Sequence, residues 1–502
     1  RKIRTKEIRK LGMVKKYSRK EHILLIGFST IIFLSMLLFF LRIHPLIIYD
    51  ADDWLYASYF RLPIPIWNDW NPSRVFPEIF MPLCSTLAVY LFMPLTHDYI
   101  WSLALMYGIV VSSFITLYVY AFALFLREKI KASVSNSIII STFFFLFHFL
   151  IFKTSESGNH HMFYANDVTC YFYYIIPTIL NVVLVIILEL YPDLMDIFSR
   201  KNGILKGVIL FSVYMAIFSN MFCSVIIAVW AGVEIINSSL NLIICKDFKF
   251  KTILKNNIYK VMIVLGWLIS IIYELSGGRA ESLAGISFAE SVKHTIRNFT
   301  QVLIGVNKYV AVLLVCVIIL YFMLIRNKKQ ARYILIALAN AAIIGVFLIL
   351  ACAKSNAYYI TRTEILLALC FWVFAAIGIM MTALINNKAI RILSPCILLL
   401  LCASINSHGI TFADANCGDV DWKTCYDISS DFVEQIEVAD DDNKMNIVLK
   451  VPQYDDAQNW PLAIYGEDRI CYTLYKHGIV SHDLNVVFEP DNSINQKWGI
   501  TS

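Results

Sequence analysis

Charge is scarce in this chain of 502 residues: Asp, Glu, Lys and Arg make up 16% of it, against roughly 25% in a soluble domain. That shortage excludes a water-soluble globule and, with 58% of residues hydrophobic, a disordered polyelectrolyte as well. Glycine and proline number only 19 and 13 and follow no fixed period, so collagen-like and solenoid architectures are excluded too. The twelve cysteines include no CxxC pair and no Cys/His spacing suited to a metal. Cys84, Cys223, Cys316, Cys370, Cys396 and Cys402 stand singly in apolar runs, where a thiol behaves as a small core hydrophobe. Cys417, Cys425 and Cys471 lie in the tail, and a Cys417–Cys425 bridge is open to that tail if it is exported.

What is abundant is apolar length. Runs able to cross the ~30 Å of a bilayer fall near 23–43, 101–126, 136–153, 171–190, 205–243 (a pair), 260–275, 309–326, 333–353, 364–386 and 390–406, about eleven spans in all. Residues 1–22 hold ten Lys or Arg, a basic segment that reads as a cytoplasmic anchor on anionic lipid rather than a nucleic-acid arm. The loops Arg127–Lys131, Arg200–Lys206, Lys246–Lys260, Arg326–Arg332 and Lys388–Arg391 are short and basic, and the positive-inside rule puts all five in the cytosol. Loops 44–100, 154–170, 276–308 and 354–363 then face outward. So does the tail 407–502, where 17 acidic residues meet six basic ones and short strand-like runs such as Asn446–Val451 and Leu484–Phe488 predict a small α/β domain. Phe76–Thr96 is apolar as well, but Pro77, Pro82 and Pro94 each remove a helix N–H that lipid cannot replace. It reads as interfacial or re-entrant, with a full span as the alternative.

Polar chemistry gathers on the outward side. Tyr49-Asp50-Ala51-Asp52-Asp53-Trp54 places three carboxylates just past the first span. Such neighbours repel unless one is raised in pKa to act as a base, shared with a cation or solvated, a solvated loop being the plain alternative. Nearby, Trp67 and Trp70 could stack on sugar faces or anchor at headgroups, Arg74 could hold a phosphate in its fork, and Asn71 and Glu78 add polar groups. Asn159-His160-His161, followed by Asn166-Asp167, forms a second outward cluster; adjacent histidines share no helical face and no third ligand stands at zinc spacing, so hydrogen bonding to hydroxyls is its functional reading. Ser219-Asn220, Glu274 to Arg279, and Tyr358 to Glu364 fall at the same boundary. Arg362 is informative there, because an arginine entering a membrane helix needs an anion, be it Glu364 or a lipid phosphate. The sequon Asn298-Phe299-Thr300 also faces outward. Span centres are almost free of ionisable groups, which weighs against an ion-coupled transporter.

This layout resembles the GT-C superfamily of multi-span glycosyltransferases that use polyprenyl-phosphate sugars, through Asp50-Ala51-Asp52-Asp53 in the first outer loop, interfacial segments after it, a late outward arginine and an exported C-terminal domain. Within that group it is most similar to bacterial O-antigen glucosyltransferase-like proteins that decorate surface polysaccharide. The resemblance implies an all-α polytopic GT-C-like domain over 23–406, with 44–100 as its first extracytoplasmic loop, in a bacterial plasma membrane. It implies a polyprenyl-phosphate sugar donor, a glycan acceptor, and a flippase and a donor synthase as partners. Asp52-Asp53 is the pair that matches the family's acidic motif, with Asp50 beside it, and Asp52 or Asp53 is the expected general base. The expected substrate contacts are Arg74, Glu78, Trp70, Asn159, His160, His161, Arg279, Tyr359 and Arg362. If a metal takes part, Asp52 and Asp53 make an oxygen-rich site suited to Mg²⁺ or Mn²⁺. A flippase or exporter of lipid-linked glycan, and a polysaccharide polymerase, are the competing expectations.

Overall fold

The computed structural model describes residues 18–61, 73–152, 161–165, 167–192, 203–244, 250–275, 286–325, 328–385, 395, 421–453 and 466–500. Ser18 starts the first helix as an N-cap: its hydroxyl accepts the Glu21 amide at 3.2 Å, and the Glu21 carboxylate accepts the Ser18 amide at 2.8 Å. Helix α1 then runs Arg19–Leu38 and buries Leu25, Phe28, Ile32 and Met36, which recur at the helical period on one face. In lipid the backbone must satisfy itself, so the chain continues as helices. These are Ala51–Tyr56 (α2), Pro77–Leu91 (α3), Tyr99–Glu128 (α4), Val134–Leu150 (α5), Ile176–Leu190 (α6), Gly203–Ile217 (α7), Met221–Ile244 (α8), Phe250–Leu275 (α9), Phe288–Ile304 (α10), Lys308–Leu324 (α11), Lys328–Ser355 (α12) and Thr363–Ile385 (α13).

The protein is an all-α polytopic membrane protein over this region: among the described residues eight helical segments are long and apolar enough to cross a bilayer, and α5, α7 and α11 are shorter apolar helices. The run expected at 390–406 lies outside the described residues, residue 395 aside. The segments containing α6 and α13 are 89% and 83% buried over their most apolar stretch, against 17% for α9, so α6 and α13 form the centre and α9 faces lipid.

Pro77–Thr96 is one of the eight by length and composition, and it runs antiparallel along the first half of α4, with Thr96 on Ser102, Ser85 on Tyr107 and Phe80 against Phe114. At its start, Glu78 pairs with Arg61, and the Phe76 amide bonds the Phe218 carbonyl at 3.1 Å. At its finish, Asp98 accepts from Tyr426 of the C-terminal domain, and Tyr99 stacks on Trp54 beside Asp53. Leu83, Leu87, Tyr90 and Leu95 are exposed along it, an apolar face for lipid. Helix α10 is also amphipathic, with Ile296 and Leu303 exposed near Lys293, His294 and Arg297. The sequon Asn298 sits inside that helix with its amide donated to the Ala357 carbonyl at 3.0 Å.

The tail is an α/β unit. Helix α14 (Trp422–Asp441) precedes strand β1 (Asn446–Val451), α15 (Glu467–Lys476) follows, and β2 (Asn485–Pro490) returns parallel to β1 with Asn446 opposite Asn485; α16 (Asn492–Trp498) closes it. A parallel pair needs a crossover, and α15 lies in it. Ile428, Ile436, Leu449, Val451 and Leu474 make its core. Its docking is polar: Ser429 Oγ donates to the Ile48 carbonyl at 2.9 Å, Ser58 and Thr473 hydroxyls meet at 2.7 Å, and Tyr99 O–H meets His477 Nδ1 at 2.7 Å. Cys417, and with it the Cys417–Cys425 pairing, lies outside the described residues.

Candidate active site

Asp50 caps α2, its Oδ1 accepting the Asp52 amide at 2.8 Å. Asp53, three residues on, closes the reciprocal box: its Oδ2 accepts the Asp50 and Tyr49 amides, both at 3.3 Å. Its other oxygen accepts the Thr169 amide and hydroxyl, both at 2.7 Å. Asp53 is fully buried with four donors on two oxygens, so it joins α2 to the start of the Val168–Leu190 segment and has no lone pair to spare. Burial, with Asp167 and Asp50 close by, acts to push its carboxyl up, and the Thr169 donors oppose this.

Asp167 is the third member of the cluster, brought to Asp50 and Asp53 from the second outward loop. It caps the Val168–Cys170 turn, accepting the Cys170 amide at 2.6 Å. Burial raises the Asp167 carboxyl against the pull of Arg362. Burial first, and Asp167 second, push Asp50 up to about 7, with the Asp52 amide and Arg469 pulling the other way. Asp52 is half-exposed and paired to Arg469 of the C-terminal domain at 3.0 Å.

Arg362 links this cluster to a cleft. Its Nε donates to Glu364 at 2.6 Å and its Nη2 to the Cys170 sulfur at 2.9 Å, while the guanidinium lies 4.9 Å from the Tyr174 ring centre and 5.4 Å from that of Tyr359. Both tyrosines line this small, partly open cleft together with Arg74, Asn220, Glu274 and Lys354. Arg74 adopts the left-handed backbone, φ 62°, which costs a non-glycine residue about 1–2 kcal/mol. It donates Nη2 to Glu274 at 2.6 Å, and among the described residues its buried Nε–H has no hydrogen-bond partner. A cation-lined cleft with a spare arginine donor suits an anion such as a phosphate.

Of the expected site residues, the structure thus gathers Asp50, Asp52, Asp53, Arg74, Tyr359 and Arg362 at one end of the bundle. Trp70, Asn159, His160 and Arg279 lie outside the described residues. Two more of them are buried: His161 is stacked on Phe149 at 4.9 Å and edge-on to Phe39 at 5.3 Å, and Glu78 pairs with Arg61. The donor set at Asp52 and Asp53 does not fit a divalent cation: Asp53 is saturated, Asp52 is paired to Arg469, and among the described residues no three His, Cys, Asp or Glu are placed to hold a metal. Lys354 and Arg469 were not singled out by sequence, and Asp167 was named only as part of the second outward cluster, with no role assigned. Asp167 carried a weak signal, an Asp cap ahead of an apolar run, and Arg469 carried none. Compared with known proteins, the chain matches no family model, no curated protein and no solved structure.

Proposed function

We propose that the protein is a membrane glycosyltransferase of GT-C type, moving one sugar from a polyprenyl-phosphate donor to a glycan hydroxyl outside the plasma membrane of a bacterium. In this reading the N-terminus and the basic loops lie in the cytoplasm, and the acidic C-terminal domain lies outside. The observation that supports it is the meeting, at one end of an apolar bundle, of a carboxyl poised near neutral pH with a cleft lined by Arg74 and Lys354, in which Arg74 keeps a spare donor among the described residues.

The base moves from the pair first favoured to Asp50, since Asp53 has no free lone pair and Asp52 is held by Arg469. Asp50 takes the proton of the acceptor hydroxyl as that oxygen attacks the anomeric carbon. The bond from that carbon to the phosphate oxygen breaks, the phosphate leaves with the electron pair, and Arg74, Lys354 and Arg362 stabilise the charge it gains.

The test is Asp50→Asn in membranes supplied with a polyprenyl-phosphate sugar and acceptor glycan. Transfer should fall roughly 10²–10⁴-fold with folded yield unchanged. Full activity would reject Asp50 as base. No sugar addition by the wild-type chain in reconstituted vesicles, combined with lipid-linked glycan trapped in the inner leaflet of cells lacking the protein, would instead favour a flippase.

A further inference from the structure

Helix α10 lies across the end of the bundle that carries Arg362 instead of passing through it. Near its start Ser291 Oγ donates to the Ala353 carbonyl at 2.6 Å, in the last turn of α12, and two turns on Asn298 donates to Ala357. Past its finish Val306 pairs with Phe152, and the Asn307 amide donates to the Ile151 carbonyl at 2.8 Å, just beyond α5. Helices α5 and α12 both end on this side. The roughly 20 Å from Ser291 to Ile304, at 1.5 Å per residue, therefore joins two helix ends along one face of the bundle. Ser291 and Thr295 are buried against the protein. Val292, Ile296 and Leu303 share an edge about 40° wide at 100° per residue, and Ile296 and Leu303 are exposed. Lys293 and Arg297, one turn apart and both exposed, follow roughly 60–100° further round from Ile296. Among the described residues neither has a carboxylate within ion-pair reach. Glu290, the one acidic residue of α10, stands in its first turn, where it favours the helix start.

We infer that α10 is a docking surface for anionic phospholipid, its apolar edge entering the acyl chains of the leaflet at the carboxylate end while Lys293 and Arg297 hold the phosphate of the head. An apolar edge beside a basic one is what a helix lying in the headgroup layer requires, with the long stems of Lys and Arg reaching out of it. Full exposure to water would leave Ile296 and Leu303 without cover. A place deep in hydrocarbon would leave Lys293 and Arg297 without an anion. The cations at the basic-loop end already meet Glu189 and Glu234, whereas these two have charge to offer. A zwitterionic head would set its own cation against them, and a head of net negative charge would not.

The purified full chain is reconstituted in phosphatidylcholine discs and titrated with a trace of phosphatidylglycerol or phosphatidylcholine carrying a photo-activatable acyl chain, and the cross-linked peptides are identified by mass. Phosphatidylglycerol should label the edge of α10 around Ile296 and Leu303, and the phosphatidylcholine probe should label it far less. Lys293→Gln with Arg297→Gln should lower the phosphatidylglycerol labelling of α10 roughly thirtyfold, about fivefold for each cation. Either single substitution, at about fivefold, replaces the double variant if that does not fold. Arg332→Gln, which removes an exposed cation at the basic-loop end, should leave the labelling of α10 unchanged. Equal labelling of α10 by the two lipids, no labelling by either, no loss in a folded variant, or an equal loss in Arg332→Gln would each overturn the surface. Sugar transfer is not read, so failure here leaves the glycosyltransferase proposal standing, and the reverse.

Discussion

The two ends of the bundle handle charge differently. At the basic-loop end cations and carboxylates are matched: Arg127 reaches Glu21 at 3.6 Å as well as Glu128, Lys129 meets Glu189, and Lys260 faces Glu234. At the other end Asp50, Asp53 and Asp167 crowd together under burial, Arg362 is drawn between them and Glu364, and among the described residues Arg74 keeps a donor unused. Matched pairs hold helices in register and set topology, and gain little more. An unmatched cluster is costly to keep and marks the end where a substrate can supply the missing partner.

The strongest way to break this contrast is to remove one cation from each end. Arg362→Ala should lower transfer roughly 100–1,000-fold, the usual loss on deleting a group that stabilises developing charge, and Arg362→Lys should recover part of it by restoring charge without the fork. Arg332→Ala at the basic end, where the side chain is exposed and bonded only to Asn237 among the described contacts, should leave transfer within about twofold. Equal losses in the two variants would erase the distinction. Next in size is Asp53→Asn, which sets an NH₂ group against N–H donors in a buried site. It should cost roughly 3 kcal/mol of stability, read as a lower Tm in detergent and poor yield, whereas Asp50→Asn should lose rate with no loss of Tm.

The apolar architecture was legible because it is local. The run read at 364–386 is the helix Thr363–Ile385, and the strand read at Asn446–Val451 is present with those bounds. Hydropathy and turn chemistry decide such elements within a few residues of themselves. The proline-rich segment after Phe76 is a helix long and apolar enough to cross, so hydropathy alone leaves open both the interfacial reading and a full span. The site was half legible. Asp50-Ala51-Asp52-Asp53 stood out as acidic, but the three-residue spacing of Asp50 and Asp53 is also that of a capping box, and the structure uses it as one. That spacing could have demoted Asp53 from base to brace. What no local pattern carries is the approach of Thr169 to Asp53, of Asp167 to Asp50, or of Arg469 to Asp52 across more than four hundred residues. Those are decided by how α2, the start of the Val168–Leu190 segment and α15 pack, as is the burial of His161, whose polar sequence context points the other way.

A smaller effect tests whether the centre of the bundle is as tightly packed as its burial implies. A Cβ added at Gly378 on α13 would lie 2.6 Å from the Phe122 ring and 3.6 Å from Ile140. Phe122 is itself fully buried and stacked on Phe144 at 4.0 Å, so it has little room to swing aside. Gly378→Ala should therefore cost about 1–3 kcal/mol by overpacking, measured as a drop in Tm. Gly232→Ala, on α8 with no atom within 4 Å of its Cβ, should be neutral or slightly stabilising in the same assay.

The smallest step per unit change is the pH response, and it sharpens the contrast because only the carboxylate end should show it. A base accepts a proton only when ionised. With Asp50 held at about 7, transfer should fall about tenfold per unit as pH drops below 7 and level off above it. Stability should move the other way. The folded state keeps on Asp50 a proton that the unfolded chain releases near 3.8, so the carboxyl's favourable contribution is complete below that value and is lost as pH rises through 7. Comparing Tm of wild type with that of Asp50→Asn isolates this group: the variant should gain on wild type steadily between pH 4 and pH 7. Burial pushes the His477 ring at the C-terminal domain's interface down to about 4, so that group adds its own rise in Tm between pH 4 and about 6.5, which cancels in the difference because wild type and variant both carry it. A rate that is flat from pH 5 to 8, or a Tm difference that narrows as pH rises, would take the proton-accepting role away from Asp50.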